Sequence, residues 1–290
     1  LKLYGIDFTC APSPKKSITC AECRLENHWL LVERIRPFQD FAAFEAFLSQ
    51  PGPWVAAMDF PFSLPAKWLE TMKWSQEWAK YVQDISELFP SRADFANCIR
   101  DYRTGRSAGD KYYLRPIDKL AGACSPMMVD YTPVGKMFFE GARRLLNSDV
   151  SVLPFVWRNP QKVAVEGYPA RLARRFAGQQ GYKSDQPKRL PPAKQAAQRQ
   201  ARQAIIAGIT SERLALEFGF KAQTPVIQDT GAQDEWIADA SGDKLDAVLC
   251  AIQAAWAYTR KDQGYGIPAI DAAQEGWIAD PAFFSQGNAL

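Results

Sequence analysis

Histidine is almost missing from this chain: there is one, His28, in 290 residues. A single imidazole argues against a serine-hydrolase triad and against a histidine-rich zinc site. No apolar run approaches the ~18 residues that a membrane-spanning helix needs, and the opening residues do not read as a secretory leader. The first residue is not Met, which fits loss of an initiator or of a short leader. An excess of one charge is lacking too: 35 Lys and Arg face 32 Asp and Glu, a net +3. Any nucleic-acid surface must therefore come from local clustering. The six cysteines include one close pair, Cys20-Ala-Glu-Cys23, without a second pair at zinc spacing. That pair falls on a predicted strand, where the two thiols should sit on alternate faces. Cys10, Cys98, Cys124 and Cys250 read as small core residues, and a reducing, cytoplasmic setting is expected.

What is present is apolar bulk, 47% of the residues, enough to bury a large core. Three short apolar runs each carry an acid near the carboxyl end. Leu3 to Phe8 holds Asp7 and stops at Ala11-Pro12-Ser13-Pro14. Trp54 to Phe60 holds Asp59 and meets Pro61; Lys162 to Gly167 holds Glu166 and meets Tyr168-Pro169. Such runs, bounded by turn residues, predict strands. The carboxyl edge of an open α/β sheet is where sites form. Asp7 alone would pass for a turn or cap residue; three acids in one local setting point to a site.

Along the chain, Ser17 to Arg24 and Trp29 to Ile35 predict a hairpin linked through Glu26-Asn27-His28. Phe41, Phe44, Phe47 and Leu48 recur at helical spacing until Gln50-Pro51-Gly52-Pro53. The Asp59 strand should then lie parallel beside the first through a right-handed crossover. An insertion over about 61–133 carries Trp68, Trp74, Trp78 and Tyr81 in a helical region, then Lys111-Tyr112-Tyr113-Leu114-Arg115. Two compatible readings are open: the aromatics pack the insertion itself, and they form a lid that stacks bases while Lys111 or Arg115 contacts phosphate. Val134 to Asn147 is helical in period, and Pro169 opens a further helix. A basic helical insertion over about 182–217 sets Lys183, Lys188, Arg189, Lys194, Arg199 and Arg202 against one acid, Asp185. It is either a solvated face or a phosphate-tracking surface. The last strong element, Ser241 to Tyr258, has an apolar face through Leu245, Val248, Leu249, Ile252, Ala255 and Trp256, with Ser241 as expected N-cap. Asp243 and Asp246 lie on neighbouring positions of its opening turns. The helix dipole accounts for acids there, better for Asp243 than for Asp246, which borders the apolar face.

Carboxylates gathered at one edge repel one another, so some must protonate or bind a cation. Oxygen-only donors select hard divalent ions, Mg²⁺ or Mn²⁺. Two such ions ~3.5–4 Å apart clamp the attacking water and the leaving oxygen of a phosphodiester.

A three-strand meander, a helix, two parallel strands with a helix between them and a final helix follow the order of the ribonuclease-H-like fold. The expected architecture is a single α/β domain over 1–290: a mixed five-stranded sheet flanked by helices, with the aromatic insertion added. Asp243-Lys-Leu-Asp246-Ala-Val resembles the closing helix of Holliday-junction-resolvase-like members. More closely, the chain resembles the family catalogued as domain of unknown function 429, a set of predicted nucleases. The resemblance rests on Gly5-Ile6-Asp7-Phe8-Thr9 with Ala11-Pro12-Ser13, Asp59-Phe60-Pro61-Phe62, and Val134-Gly135-Lys136-Met137-Phe138 with Glu140-Gly141. Glu166-Gly167-Tyr168-Pro169, Tyr182-Lys183 and Asp243-Lys244-Leu245-Asp246-Ala247 complete it. It implies a two-ion site in which Asp7 bridges both ions and Asp59 and Asp246 each complete one. Asp243 or Glu166 would add a ligand or orient water, and Lys183 would neutralise the scissile phosphate. The candidate catalytic set is thus Asp7, Asp59, Glu166 and Asp246; the candidate ligands are Asp7, Asp59, Asp243 and Asp246. Lys183, Lys111, Arg115, Lys194, Arg199 and Arg202 are candidate contacts to nucleic acid, DNA or RNA. Two other readings stand beside it. One is a phosphotransferase of the actin and sugar-kinase superfamily, with Asp7-Phe8-Thr9 as phosphate loop, although no second meander follows Glu166. The other is a non-catalytic nucleic-acid-binding module.

Overall fold

The computed structural model describes residues 1–223, 231–268 and 274–284. Its strands are β1 (Lys2–Asp7), β2 (Ile18–Glu26), β3 (Trp29–Phe38), β4 (Trp54–Met58), β5 (Ser151–Val152), β6 (Lys162–Glu166) and β7 (Lys221–Gln223). They make one mixed sheet in the order β5-β6-β4-β1-β2-β3-β7. β1, β2 and β3 run antiparallel to one another in turn, while β4 lies parallel to β1 and β6 parallel to β4. Asn27 and His28, with φ of 47° and 65°, close the β2–β3 hairpin as a two-residue turn whose twist suits the strands. The sheet has seven strands where five were expected. The added ones, β5 and β7, hold two and three residues at the two edges. Runs that short carry no alternation to read.

Helices cover both faces. The helix Phe41–Ser49 joins β3 to β4, its amino end capped by Asp40, which accepts the Ala43 N–H at 2.8 Å. On one face Leu3, Val55 and Val163 pack with Leu245, Val248 and Ile252 of the closing helix Asp243–Thr259. On the other, Tyr4, Ile6 and Met58 pack with Phe44, Phe47 and the insertion's Trp68, Tyr81 and Phe95. Trp68, Trp78 and Tyr81 are therefore core side chains. The idea that these rings form a base-stacking lid is corrected: they complete the second layer of the sheet. Cys20 and Cys23 belong to opposite cores, as strand alternation requires. Cys10 and Cys250 are buried and Cys98 half-buried, but Cys124 is exposed, against expectation. Among the described residues no helix is long and apolar enough to cross a membrane.

One contact sets the closing helix on the sheet. It passes so near β1 that a Cβ on Gly5 would stand 1.9 Å from the Ala247 carbonyl oxygen and 2.1 Å from the Ala251 nitrogen. Glycine inside a strand usually weakens it; here it permits backbone-to-backbone approach. We expect Gly5→Ala to cost about 3 kcal/mol or more, since neither backbone can yield like a flexible side chain. Urea unfolding measures this, and an unchanged midpoint would mean that the helix does not lie on β1 as described.

Candidate metal centre

The site follows from strand register. Ile6 pairs with Met58, and Met58 with Glu166, so the three strands end level. Asp7 and Asp59 come one residue later, and the Asp59 N–H donates to the Ile6 carbonyl at 2.9 Å. Side chains alternate along a strand. Asp7 shares the parity of Leu3, and Asp59 that of Val55 and Ala57, residues that face the closing helix. Glu166 instead shares the parity of Ala164, on the opposite face with Ile6 and Met58. From above, Asp246 in the opening turns of the closing helix points into the sheet with 0% exposure. One oxygen from each of Asp7, Asp59 and Asp246 lies within 4.8 Å of the others. Among the described residues this is the one group of three or more potential ligand side chains so gathered.

Asp246 has two partners. Its Oδ1 accepts the Tyr182 hydroxyl at 2.5 Å, and its Oδ2 pairs with the Lys183 ammonium. The helix Pro192–Ile209 holds that dipeptide in place. Arg202 Nη1 donates to the Tyr182 carbonyl at 2.6 Å and its Nε to the Ile237 carbonyl at 2.8 Å; Gln198 Nε2 donates to the Lys183 carbonyl at 2.9 Å. Arg202 is buried, and these bonds correct its assignment as a phosphate contact. Gln198 and Arg202 extend the face of Ala201, Ile205 and Ile209 at helical spacing, which was the available signal for an inward role. Lys194 and Arg199 are exposed on the same helix and do not line the acidic cleft; nor does half-buried Lys111.

Arg115 and Glu166 also depart from expectation. Arg115 is 1% exposed. It donates to Glu166 at 2.8 and 2.5 Å, to Asp118 at 3.0 and 2.7 Å, to Ser63 Oγ at 3.1 Å and to the Glu275 carbonyl at 3.3 Å. Each guanidinium nitrogen is engaged, so the side chain has nothing to offer a phosphate. Glu166 is held by this arginine and by the Phe62 N–H at 2.9 Å, outside the three-aspartate group. Asp243 is likewise outside it, paired with Lys16 at 2.8 Å; Lys16 also reaches Asp185 at 3.0 Å. Ser241 is not the N-cap. Gly242 (φ 75°) precedes the helix, and Asp239 accepts the Lys244 N–H at 3.1 Å and the Ser241 hydroxyl at 2.6 Å. Nothing in the sequence around Lys16 marks a role, and Tyr182 stands out only through the Tyr182-Lys183 motif.

Burial, followed by the Asp246 carboxylate, pushes the Asp7 carboxyl well above the ordinary range, although Lys183 opposes this. Burial raises Asp59 to about 7, again against the pull of Lys183. Burial disfavours charge on Lys183 itself, but Asp246 and its neighbours outweigh that and hold the ammonium protonated. Three acids thus gather around one lysine. The donor set is all oxygen and short of positive charge, which suits a hard divalent cation. The cluster opens on a cleft of about 470 Å³.

Comparison with protein-family models, with curated proteins and with solved structures returns no match to this chain.

A carboxyl that holds its proton more tightly when folded contributes stability that is complete below the unfolded carboxylate range, ~4. That contribution is lost as pH rises through the folded value, here about 7 for Asp59. Without divalent ions, Asp59→Asn should therefore be more stable than the wild type at high pH, by about 1 kcal/mol or more. The gap should close on acidification. Thermal melts across the neutral range test this, and a gap that widens toward acid would contradict it.

Proposed function

We propose that this protein is a metal-dependent nuclease of ribonuclease-H-like type, hydrolysing phosphodiester bonds with two Mg²⁺ or Mn²⁺ ions. The observation that carries the reading is the convergence of Asp7, Asp59 and Asp246, with oxygens within 4.8 Å, at the carboxyl edge of a mixed sheet. The strand run β3-β2-β1-β4-β6 supports the fold assignment, and the motifs quoted above support kinship with the domain of unknown function 429 family. Six free cysteines suit a reducing, cytoplasmic location. The partner proposed is nucleic acid, DNA or RNA.

On this reading Asp7, Asp59 and Asp246 would hold the ions, with Asp7 supplied by the central strand β1. The bound ions would supply an activated water and neutralise charge on the leaving oxygen. Tyr182 donates to Asp246 and fixes the direction of its carboxylate. Lys183, which pairs with Asp246, would offer its positive charge to the phosphate. Glu166 acts at one remove, through Arg115, by holding the strand ends and the insertion together. A sugar-kinase reading calls for two copies of the fold around ATP; the described strands form a single sheet with one meander.

Asp7→Asn should lower Mn²⁺-dependent cleavage about 100-fold or more while nucleic-acid binding survives. Undiminished cleavage in that variant would refute the assignment. Lys183→Ala should separate the two roles of the lysine: tighter Mn²⁺ binding in calorimetry, because the competing ammonium is gone, with slower cleavage. Weaker Mn²⁺ binding would show that the lysine supports the cation instead of competing with it.

A further inference from the structure

The cleft above the acids is lined by the insertion and the segment that follows it, through Cys124, Tyr131, Pro133 and Met137. Tyr168 at the start of the helix Pro169–Ala177, with Lys183, Ser184 and Asp243, lines it too. Asp7 and Asp59 line the same cleft. Its volume, about 470 Å³, lies in the range of pockets that enclose small ligands, ~300–1,000 Å³. A space of that size holds a nucleotide or two of a single chain, whereas a duplex carries two backbones with paired bases between them and cannot enter it without unwinding.

The insertion wall is not free to swing aside. Arg115 ties it to Glu166 at the end of β6 and to the carbonyl of Glu275, and all of these bonds are buried or partly buried. Its rings continue the core of the sheet through Trp68, Phe95 and Phe138. Moving it would strip a buried guanidinium of its carboxylates and open an aromatic core.

Two features of the cleft suit a single chain of nucleotides. Tyr131 is fully exposed at the rim, a flat ring with both faces available. Exposed aromatics of this kind stack bases without regard to sequence. Lys16, paired with Asp243 and Asp185, and Lys183, paired with Asp246, line the cleft and set positive charge beside the acids. Tyr168, on the same lining, is held by Arg174, which donates to its hydroxyl at 3.0 Å.

We infer that the cleft admits single-stranded nucleic acid and excludes intact duplex, with a base of the bound strand stacked on Tyr131. This rests on the nuclease reading and adds the substrate class. The test uses the full chain with Mn²⁺ and three substrates: a single-stranded oligonucleotide, the same strand annealed to its complement, and bis(4-nitrophenyl) phosphate, which reports the chemistry without requiring a strand. The single strand should be cut at least about tenfold faster than the duplex, and Tyr131→Ala should weaken single-strand binding by about tenfold. Equal or faster cutting of the duplex overturns the inference and leaves the metal-dependent chemistry standing. Unchanged binding by the Tyr131 variant overturns the stacking on which the inference depends. No hydrolysis of any of the three substrates overturns the nuclease reading, and the inference with it.

Discussion

Everything at the acidic edge depends on how closely one helix can approach one strand. At Gly5 the backbone of the closing helix touches the backbone of β1, with Ala247 and Ala251 on the helix side. That contact leaves no room for a side chain between them. It also sets the height of Asp246 above Asp7 and Asp59, because Asp246 immediately precedes Ala247 in the chain. Small residues at the crossing thus act on the site without taking part in it. A larger residue at position 5 would lift the helix and draw Asp246 away from the other two carboxylates.

The second constraint is electrostatic. Asp7 and Asp246 are buried, and the Asp246 carboxylate raises the cost of ionising Asp7 and Asp59. Lys183 offsets part of this, and Tyr182 hydrogen-bonds one oxygen of Asp246. The lysine and tyrosine are themselves placed by Arg202 and Gln198 through their carbonyls. A helix that reads as a basic surface therefore acts as a splint for the site. The Arg115 cluster does similar work on the other face of the sheet, where Glu166 and Asp118 surround one guanidinium. Buried ion pairs of this sort are costly to break because a partner is left charged and dry. They hold the insertion against the strand ends and shape the cleft.

Much of this was legible in the sequence, for local reasons. A short apolar run that ends in an acid and then a proline announces itself, and three of them were visible. The apolar period of the closing helix pointed to Asp246 over Asp243, and the structure separates those two in the same sense. What was hidden depended on partners far away in the chain. Glu166 looks like a third edge acid until the register with β4 is known; it then lies one residue short and faces the other way. Arg115 and Arg202 read as exposed because a lone charge usually is, and their key partners, Glu166 and the Tyr182 carbonyl, lie 51 and 20 residues away. Edge strands of two and three residues leave no pattern to detect. The insertion's tryptophans were seen as aromatic, but only the fold shows that the sheet is what they cover.

The claim beneath the whole account is that Asp7, Asp59 and Asp246 share cations. Anomalous diffraction from crystals soaked in Mn²⁺ tests it directly. Manganese peaks are expected between these three carboxylates, with an Asp7 oxygen coordinated and Lys183 moved off Asp246. Manganese bound elsewhere, with the Lys183–Asp246 pair intact and no peak among the three aspartates, would contradict it.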